Sequence, residues 1–281
     1  MVPAKRDVVS IIIPARNEEK AIARGVSHAL LQKFPEGVGK EILVVANGCT
    51  DRTPQIVREI SAAHPQVRLV ELKKASKPDA WNAGVRKAKG STLVFMDADV
   101  MPRAGAINAL KKAVAQGARV AVGRRLHVAE DGTGRVMRKL EHIDKKLGLP
   151  QGLWGMLYAL KREDALKLSP MPSHVTMEDY WLDQKIGGNY AIVPSAKFEY
   201  PISPTLRRFF EDVSRRHAGV LNLGITAYGS DMGAREFKGN ARKLSPSELA
   251  AAGVLHATRW AGRKKGTRIF NKGKKVVWRP R

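Results

Sequence analysis

Short β-branched runs at residues 8–13, 41–46, 67–72 and 92–96 alternate with stretches of helical periodicity at 18–34, 54–64 and 79–89. Strand and helix taken strictly in turn predict a parallel sheet covered by helices on both faces. Local chemistry marks the boundaries. Thr53-Pro54 predicts an N-cap followed by proline at the first helical position, and Gly90 predicts the stop of the third helix. Ligands of such sheets gather at the carboxyl ends of the strands, so the site is expected there.

Beyond residue 99 the pattern is mixed. It predicts a helix over 102–116, strands over 119–123 and 156–161, and helices over 177–186 and 206–223, with no second core. From about residue 229 the composition shifts. Ser245-Pro246-Ser247-Glu248 reads as a capping box that opens a helix towards Trp260. Two short extended stretches, 268–270 and 275–278, then flank an Asn271-Lys272-Gly273 turn. The expected organisation is one domain over 1–228, in two halves meeting near residue 100, and an extension over 229–281.

Charge changes this picture. The 281 residues hold 50 Lys and Arg against 26 Asp and Glu, a formal +24, and residues 205–281 alone hold 18 basic and 5 acidic side chains. Such a surplus repels itself unless a polyanion is near, and nucleic acid or an anionic membrane face would answer it. No apolar run approaches the roughly 18–20 residues that cross a bilayer, and no apolar segment follows Met1, so the expected location is a cytoplasm, a host's if the source is viral. Cys49 is the single cysteine, which excludes an internal disulfide framework and Cys-rich zinc.

Asp97-Ala98-Asp99 follows the apolar run Leu93-Val94-Phe95-Met96, which places two carboxylates where a strand leaves the sheet. They repel each other unless a cation lies between them; a hard divalent metal takes oxygen ligands and can bridge a diphosphate.

Other segments agree with that reading. Val9 to Glu19, with Pro14-Ala15-Arg16-Asn17-Glu18, resembles the opening strand and Pro-x-x-Asn-Glu turn of the family 2 glycosyltransferases. Val45-Ala46-Asn47-Gly48-Cys49-Thr50-Asp51 resembles that family's Asp-Asp-Gly-Ser-x-Asp turn, and Lys77-Pro78-Asp79-Ala80-Trp81-Asn82-Ala83-Gly84 its Lys-Ala-x-Ala-x-Asn-x-Gly segment. Asp97–Asp99 falls where the family keeps its metal motif. On the acceptor side, the stretch from Gly152 to Arg162 and Glu178-Asp179-Tyr180-Trp181-Leu182 resemble the family's Gly…Tyr-Ala-x-Arg-Arg and Glu-Asp-x-x-Leu motifs.

The resemblance implies a Rossmann-like, mostly parallel sheet flanked by helices, the A-type glycosyltransferase fold, with a basic C-terminal extension. It implies inverting, metal-dependent transfer of one hexose from a nucleoside diphosphate. Asp179 would be the base, its carboxylate made more basic by partly apolar surroundings beside Tyr180 and Trp181. Asp97 and Asp99 would hold Mn2+ or Mg2+, with His217 a candidate third ligand. The donor would meet Pro14, Arg16, Asn17, Glu18, Asn47, Lys77, Asn82, Asp97 and Ala98. The acceptor would meet Trp154, Gly155, Glu178 and Tyr180, and Arg215 and Arg216 would meet phosphate.

Two departures matter. Ala46 and Asn47 stand where the family has paired acids that read base and ribose, so UDP-glucose or a similar UDP-sugar is favoured while guanosine stays open. The Gln-x-x-Arg-Trp signature of processive synthases is absent, since the comparable stretch reads Val213-Ser214-Arg215-Arg216-His217. Because Trp260, Phe270 and Trp278 interleave with the tail's charge, the favoured acceptor is a hydroxymethylated base in DNA, as in phage-type modification, with Trp154 a stacking candidate. A lipid-linked or envelope acceptor at an anionic membrane is the alternative; it predicts an amphipathic helix with an apolar stripe, and residues 244–260 are only weakly of that kind. A fold-retaining, inactive nucleic-acid-binding protein is the third reading, opposed by the presence of Asp97, Asp99 and Asp179.

Overall fold

A computed structural model describes residues 7–129, 133–147, 155–221 and 245–271. The first half is the expected alternation: β1 (Asp7–Ala15), α1 (Ile22–Leu30), β2 (Val38–Asn47), α2 (Thr53–Ala63), β3 (Val67–Leu72), α3 (Lys77–Lys87) and β4 (Thr92–Met96). Then follow β5 (Met101–Pro102), α4 (Ala106–Ala115), β6 (Ala121–Val128), α5 (Arg135–Leu147), β7 (Leu157–Lys161), α6 (Arg162–Leu168), α7 (Glu178–Ile186), β8 (Ala191–Pro201), α8 (Leu206–Leu221) and α9 (Pro246–Asn271).

One sheet runs in the order β3-β2-β1-β4-β7-β6-β8-β5. β3, β2, β1 and β4 are mutually parallel. β7 then inserts antiparallel between β4 and β6, β8 lies parallel to β6, and β5 closes the far edge antiparallel to β8.

The two-residue period of the strands builds two cores. On one face Val9, Ile11, Ile13, Val44, Val94 and Met96 pack with Ile22 and Val26 of α1 and Ile107 and Leu110 of α4. On the other, Ile12, Leu43, Val45, Leu93 and Phe95 pack with Trp81 and Val85 of α3 and Leu182 of α7. There the rings of Trp81, Phe95 and Tyr158 stack at centroid distances of 5.2 and 5.1 Å. A third, smaller cluster joins Met137 and Leu140 of α5 to Ile202 and to Leu206 and Phe209 of α8.

Several boundaries differ from the sequence reading, each for a local reason. Thr53 is the first helical residue, not the cap. The carboxylate of Asp51 accepts from Thr53 N–H at 3.0 Å and Thr53 Oγ at 2.6 Å, so Asp51 holds the helix start. α3 ends at Lys87, and Gly90 serves a close approach instead: a Cβ there would collide with the Val8 carbonyl and Ser10 of β1. The extended stretch expected at 268–270 is the last turn of α9; 275–278 lies outside the described residues. Helix wins because α9 packs along α8, which supplies the tertiary contact that a hairpin of Lys and Arg would lack. The capping box is present, with Glu248 Oε2 accepting from Ser245 N–H at 2.8 Å and Ser245 Oγ from Glu248 N–H at 3.4 Å. Among the described residues no helix is long and apolar enough to cross a membrane.

Candidate active site

At the carboxyl edge of the parallel strands, the loops after β1 and β2 are laced into one unit. Asn17, held at a positive φ of 55°, accepts from Thr50 N–H at 2.8 Å through Oδ1 and donates to Thr50 Oγ through Nδ2 at 3.1 Å. Glu18 N–H donates to Thr53 Oγ at 2.8 Å, Glu19 N–H to Asp51 at 3.1 Å, and Arg52 N–H returns to Glu19 at 3.2 Å. Burial pushes the Asp51 carboxyl up, but its bonds from Thr53 and Glu19 outweigh that and hold it below the usual range. Pro14 lies beside Val45 in the β1–β2 ladder, and Arg16 opens the loop.

Two asparagines expected at the donor serve the backbone. Asn47 is fully buried; its Nδ2 donates to Ala15 O at 3.0 Å and its Oδ1 accepts from Ser76 N–H at 3.2 Å, tying β1, β2 and the start of α3. Asn82 donates to Met171 O at 2.8 Å and accepts from Met171 N–H at 2.7 Å, a clamp across 89 positions of sequence. Gly84 allows this face of α3 to lie on β1, since a Cβ would sit 2.5 Å from Ile12 Cγ2.

The charged centre joins the two halves. Asp97 leaves β4 with its N–H bonded to Met156 O at 2.9 Å. Lys77 Nζ lies 3.1 Å from Asp97 Oδ1 and also pairs with Glu178 at the start of α7. The Lys77 and Asp97 side chains keep 16% and 22% exposure, so solvent reaches the pair from one side. Burial, with help from Glu178 and Asp99, raises the Asp97 carboxyl to about 7 in spite of Lys77 beside it. Burial opposes the charge on Lys77, yet Asp97 and Glu178 prevail and hold its ammonium well above the ordinary value.

Asp179 follows Glu178 in the first turn of α7. Its Oδ2 accepts from Gly155 N–H at 3.4 Å and its Oδ1 from Tyr180 N–H at 2.9 Å. Gly155 fits where no side chain would, because a Cβ would meet Asp179 Cβ at 2.9 Å and Glu178 Oε1 at 3.1 Å. The structure thus brings Lys77, Asp97, Gly155, Glu178 and Asp179 together.

Other expected residues lie elsewhere. His217 packs against α9, its Nε2 3.3 Å from Thr267 Oγ. It joins no group of three His, Cys, Asp or Glu side chains fit for a metal among the described residues. Arg215 turns towards Asp212 of its own helix at 3.8 Å. Arg216 is on α8, but its side chain and the whole of Trp154 lie outside the described residues.

The sequence reading passed over two contributors. Tyr158 accepts from Trp81 Nε1 at 2.9 Å, and burial together with nearby Glu178 drives its phenol well above the ordinary value. Gly25 backs the Asp97–Asp99 turn: a Cβ there would collide with the Ala98 carbonyl. Neither had a signal in sequence, since an aromatic in a strand and a glycine in a helix have many uses.

Comparison with known proteins follows the same residues. The family described as Glycosyl transferase family 2 matches residues 10–170, more than half of the chain. Glycosyltransferase AglE of Haloferax volcanii is 35% identical over 95 residues, which are 34% of this chain and 31% of that protein. Dolichol-phosphate mannosyltransferase of Pyrococcus furiosus is 31% identical over 117 residues, 42% of this chain and 33% of that protein. The chain therefore matches about a third of the length of these relatives. Among solved structures, the mannosyltransferase PcManGT of Pyrobaculum calidifontis, in complex with GDP-Man and Mn2+, superposes with a TM-score of 0.63 at 21% identity, covering 97% of this chain and 89% of that one. That likeness supports the expected fold.

Proposed function

The chain belongs to glycosyl transferase family 2, and from that premise we propose that it moves one sugar from a nucleoside diphosphate sugar to an acceptor oxygen, with inversion at the anomeric carbon. One observation carries the reading: Lys77 pairs at once with Asp97, at the end of a donor-side strand, and with Glu178, next to Asp179 on the acceptor side. A parallel-sheet edge collects the diphosphate, and a carboxylate within reach of that edge can take the acceptor's proton.

In this reading the acceptor hydroxyl oxygen attacks the anomeric carbon from the face opposite the diphosphate. The bond between that carbon and the diphosphate oxygen breaks, and the hydroxyl proton passes to Asp179. Gly155 N–H and Tyr180 N–H fix the carboxylate's orientation. Lys77 faces the departing diphosphate as a point charge.

The residues fit a divalent cation. Asp97 and Asp99 crowd one turn, and the Asp99 charge adds to burial, the larger cause, in raising the Asp97 carboxyl. The protein would offer these two carboxylates, leaving other positions to diphosphate oxygens and water. When bound, such a cation neutralises charge on the leaving group.

For the acceptor, a lipid-linked or envelope glycan is now better supported than a base in DNA. Of the aromatics behind a DNA acceptor, Trp154 and Trp278 lie outside the described residues. One relative is named for dolichol phosphate. Asn47, enclosed by backbone, leaves the choice between UDP and GDP to other side chains.

The test is transfer of label from UDP- and GDP-sugars, with manganese, onto an extract of lipid-linked glycans and onto DNA containing hydroxymethylated pyrimidines. Label in lipid, abolished by chelation and by Asp179→Asn, is the expected result. Label in DNA alone would overturn the acceptor, and no turnover of any donor would overturn the transferase reading.

A further inference from the structure

The helix α9 presents two kinds of surface along one outward face. Among the described side chains from Pro246 to Trp260 the exposed ones are Pro246, Ala250, Gly253, Val254, Ala257 and Trp260, on one face with no charge among them. Val254 keeps 45% and Trp260 52% of its surface in water, both on this one face. In the second half the exposed positions on the same side turn basic, with Lys264 and Arg268, and Lys265 beside them. After Glu248 the sequence has ten Lys or Arg and no acid.

Contacts show how this face is aimed. Arg259 lies over the Phe209 ring at 5.8 Å, Gly262 lies on Val213, and Thr267 meets His217, so α9 and α8 run in the same direction. At the end of α8, Gly219 rests on Met177 and its carbonyl accepts from Thr176 Oγ at 3.4 Å. Met177 immediately precedes Glu178 and Asp179. The basic end of α9 is therefore the end near the acceptor side of the site.

We propose that the outward face of α9 docks on an anionic lipid bilayer, with Val254 and Trp260 entering the headgroup boundary and Lys264, Lys265 and Arg268 against lipid phosphates. An apolar stripe beside clustered cations, with Trp at the junction, suits an interface that is oily below and anionic above. Nucleic acid would use the cations but gain nothing from Val254. A second copy of the chain would bring +24 against +24. The link from this surface to the acceptor rests on the transfer reading above; the surface itself does not.

The test is co-sedimentation of the full chain, without donor, with vesicles of phosphatidylcholine alone or with about a third phosphatidylglycerol. Binding is expected to the anionic vesicles only and to weaken with salt. Val254→Asp with Trp260→Asp should lower the partition coefficient at least roughly tenfold at fixed salt, with an unchanged melting midpoint. Lys264→Gln with Arg268→Gln should weaken binding and flatten its salt dependence. Equal binding to neutral vesicles, anionic binding indifferent to Val254 and Trp260, or tight binding of a DNA duplex that requires Trp260 would each overturn the proposal. Transfer to a soluble acceptor is read separately: failure of vesicle binding with transfer intact refutes the surface alone, and the reverse refutes the transfer reading alone.

Discussion

The loops on the parallel strands and the helical region of α5, α8 and α9 use polar side chains in opposite ways. In the first, Asn17, Asn47, Asp51, Thr53 and Asn82 are bonded to neighbouring backbone, so the polar motif is largely scaffold. In the second, Lys264 and Lys265 lie over the rings of Trp260 and Phe210 at 4.0 and 5.0 Å and remain exposed, so the charge is left for something outside the molecule. A polar residue in a motif is evidence of a site only once its partners are known.

The sharpest way to break this contrast is at the carboxylates that are not scaffold. Asp179→Asn should lower single-turnover transfer by about 10²–10⁴-fold with donor affinity unchanged. Unchanged transfer in that variant would remove the acceptor side from the site. Next in size is Gly25→Ala. Its methyl has only the Ala98 carbonyl to push, so it should destabilise by about 2–3 kcal/mol in denaturant titration and at the same time weaken donor binding measured with manganese. Stability lost with donor binding intact would show that the Asp97–Asp99 turn does not depend on α1.

Asn82→Ala should cost about 1–3 kcal/mol, since Met171 N–H and O lose their partner inside the core. The donor dissociation constant should stay the same; a large rise at constant stability would return Asn82 to the donor site. The smallest effect concerns acid. Burial and the nearby Arg263 hold the His217 imidazole below its ordinary value, so the unfolded chain takes up the proton more readily. This contribution is complete above the unfolded value of about 6.5 and is lost as pH falls through the lower folded value. Thermal melts between pH 8 and 5 should show that fall, and His217→Gln should remove it; a pH profile identical in the variant would assign it elsewhere.

How much of this was legible follows the same division. β3 and β4 match the sequence reading residue for residue, because His64-Pro65 before β3 and Gly90 before β4 punctuate the chain just ahead of a short run rich in β-formers. β8, an eleven-residue strand, went unread: Pro194, Lys197 and Pro201 break the apolar pattern, and its register against β6 shifts after Gly123. α5 and α6 escaped because charged residues dominate them and their apolar stripes are narrow. Asp97, Lys77, Gly155, Glu178 and Asp179, which come from separate motifs, lie together in the structure. Asn47 and Asn82 belong to the same motifs but brace the frame, a distinction that sequence spacing does not encode.

β7 lies between β4 and β6, and Met171 answers Asn82, so the middle of the sheet and its main clamp are completed late during synthesis. About 60 residues separate the end of β4 from β7, which at roughly 5–20 residues per second leaves the edge of β4 unpaired for about 3–12 s. For that interval the nascent chain offers an apolar strand edge to any passing strand, an exposure whose length is set by the translation of the stretch before residue 157.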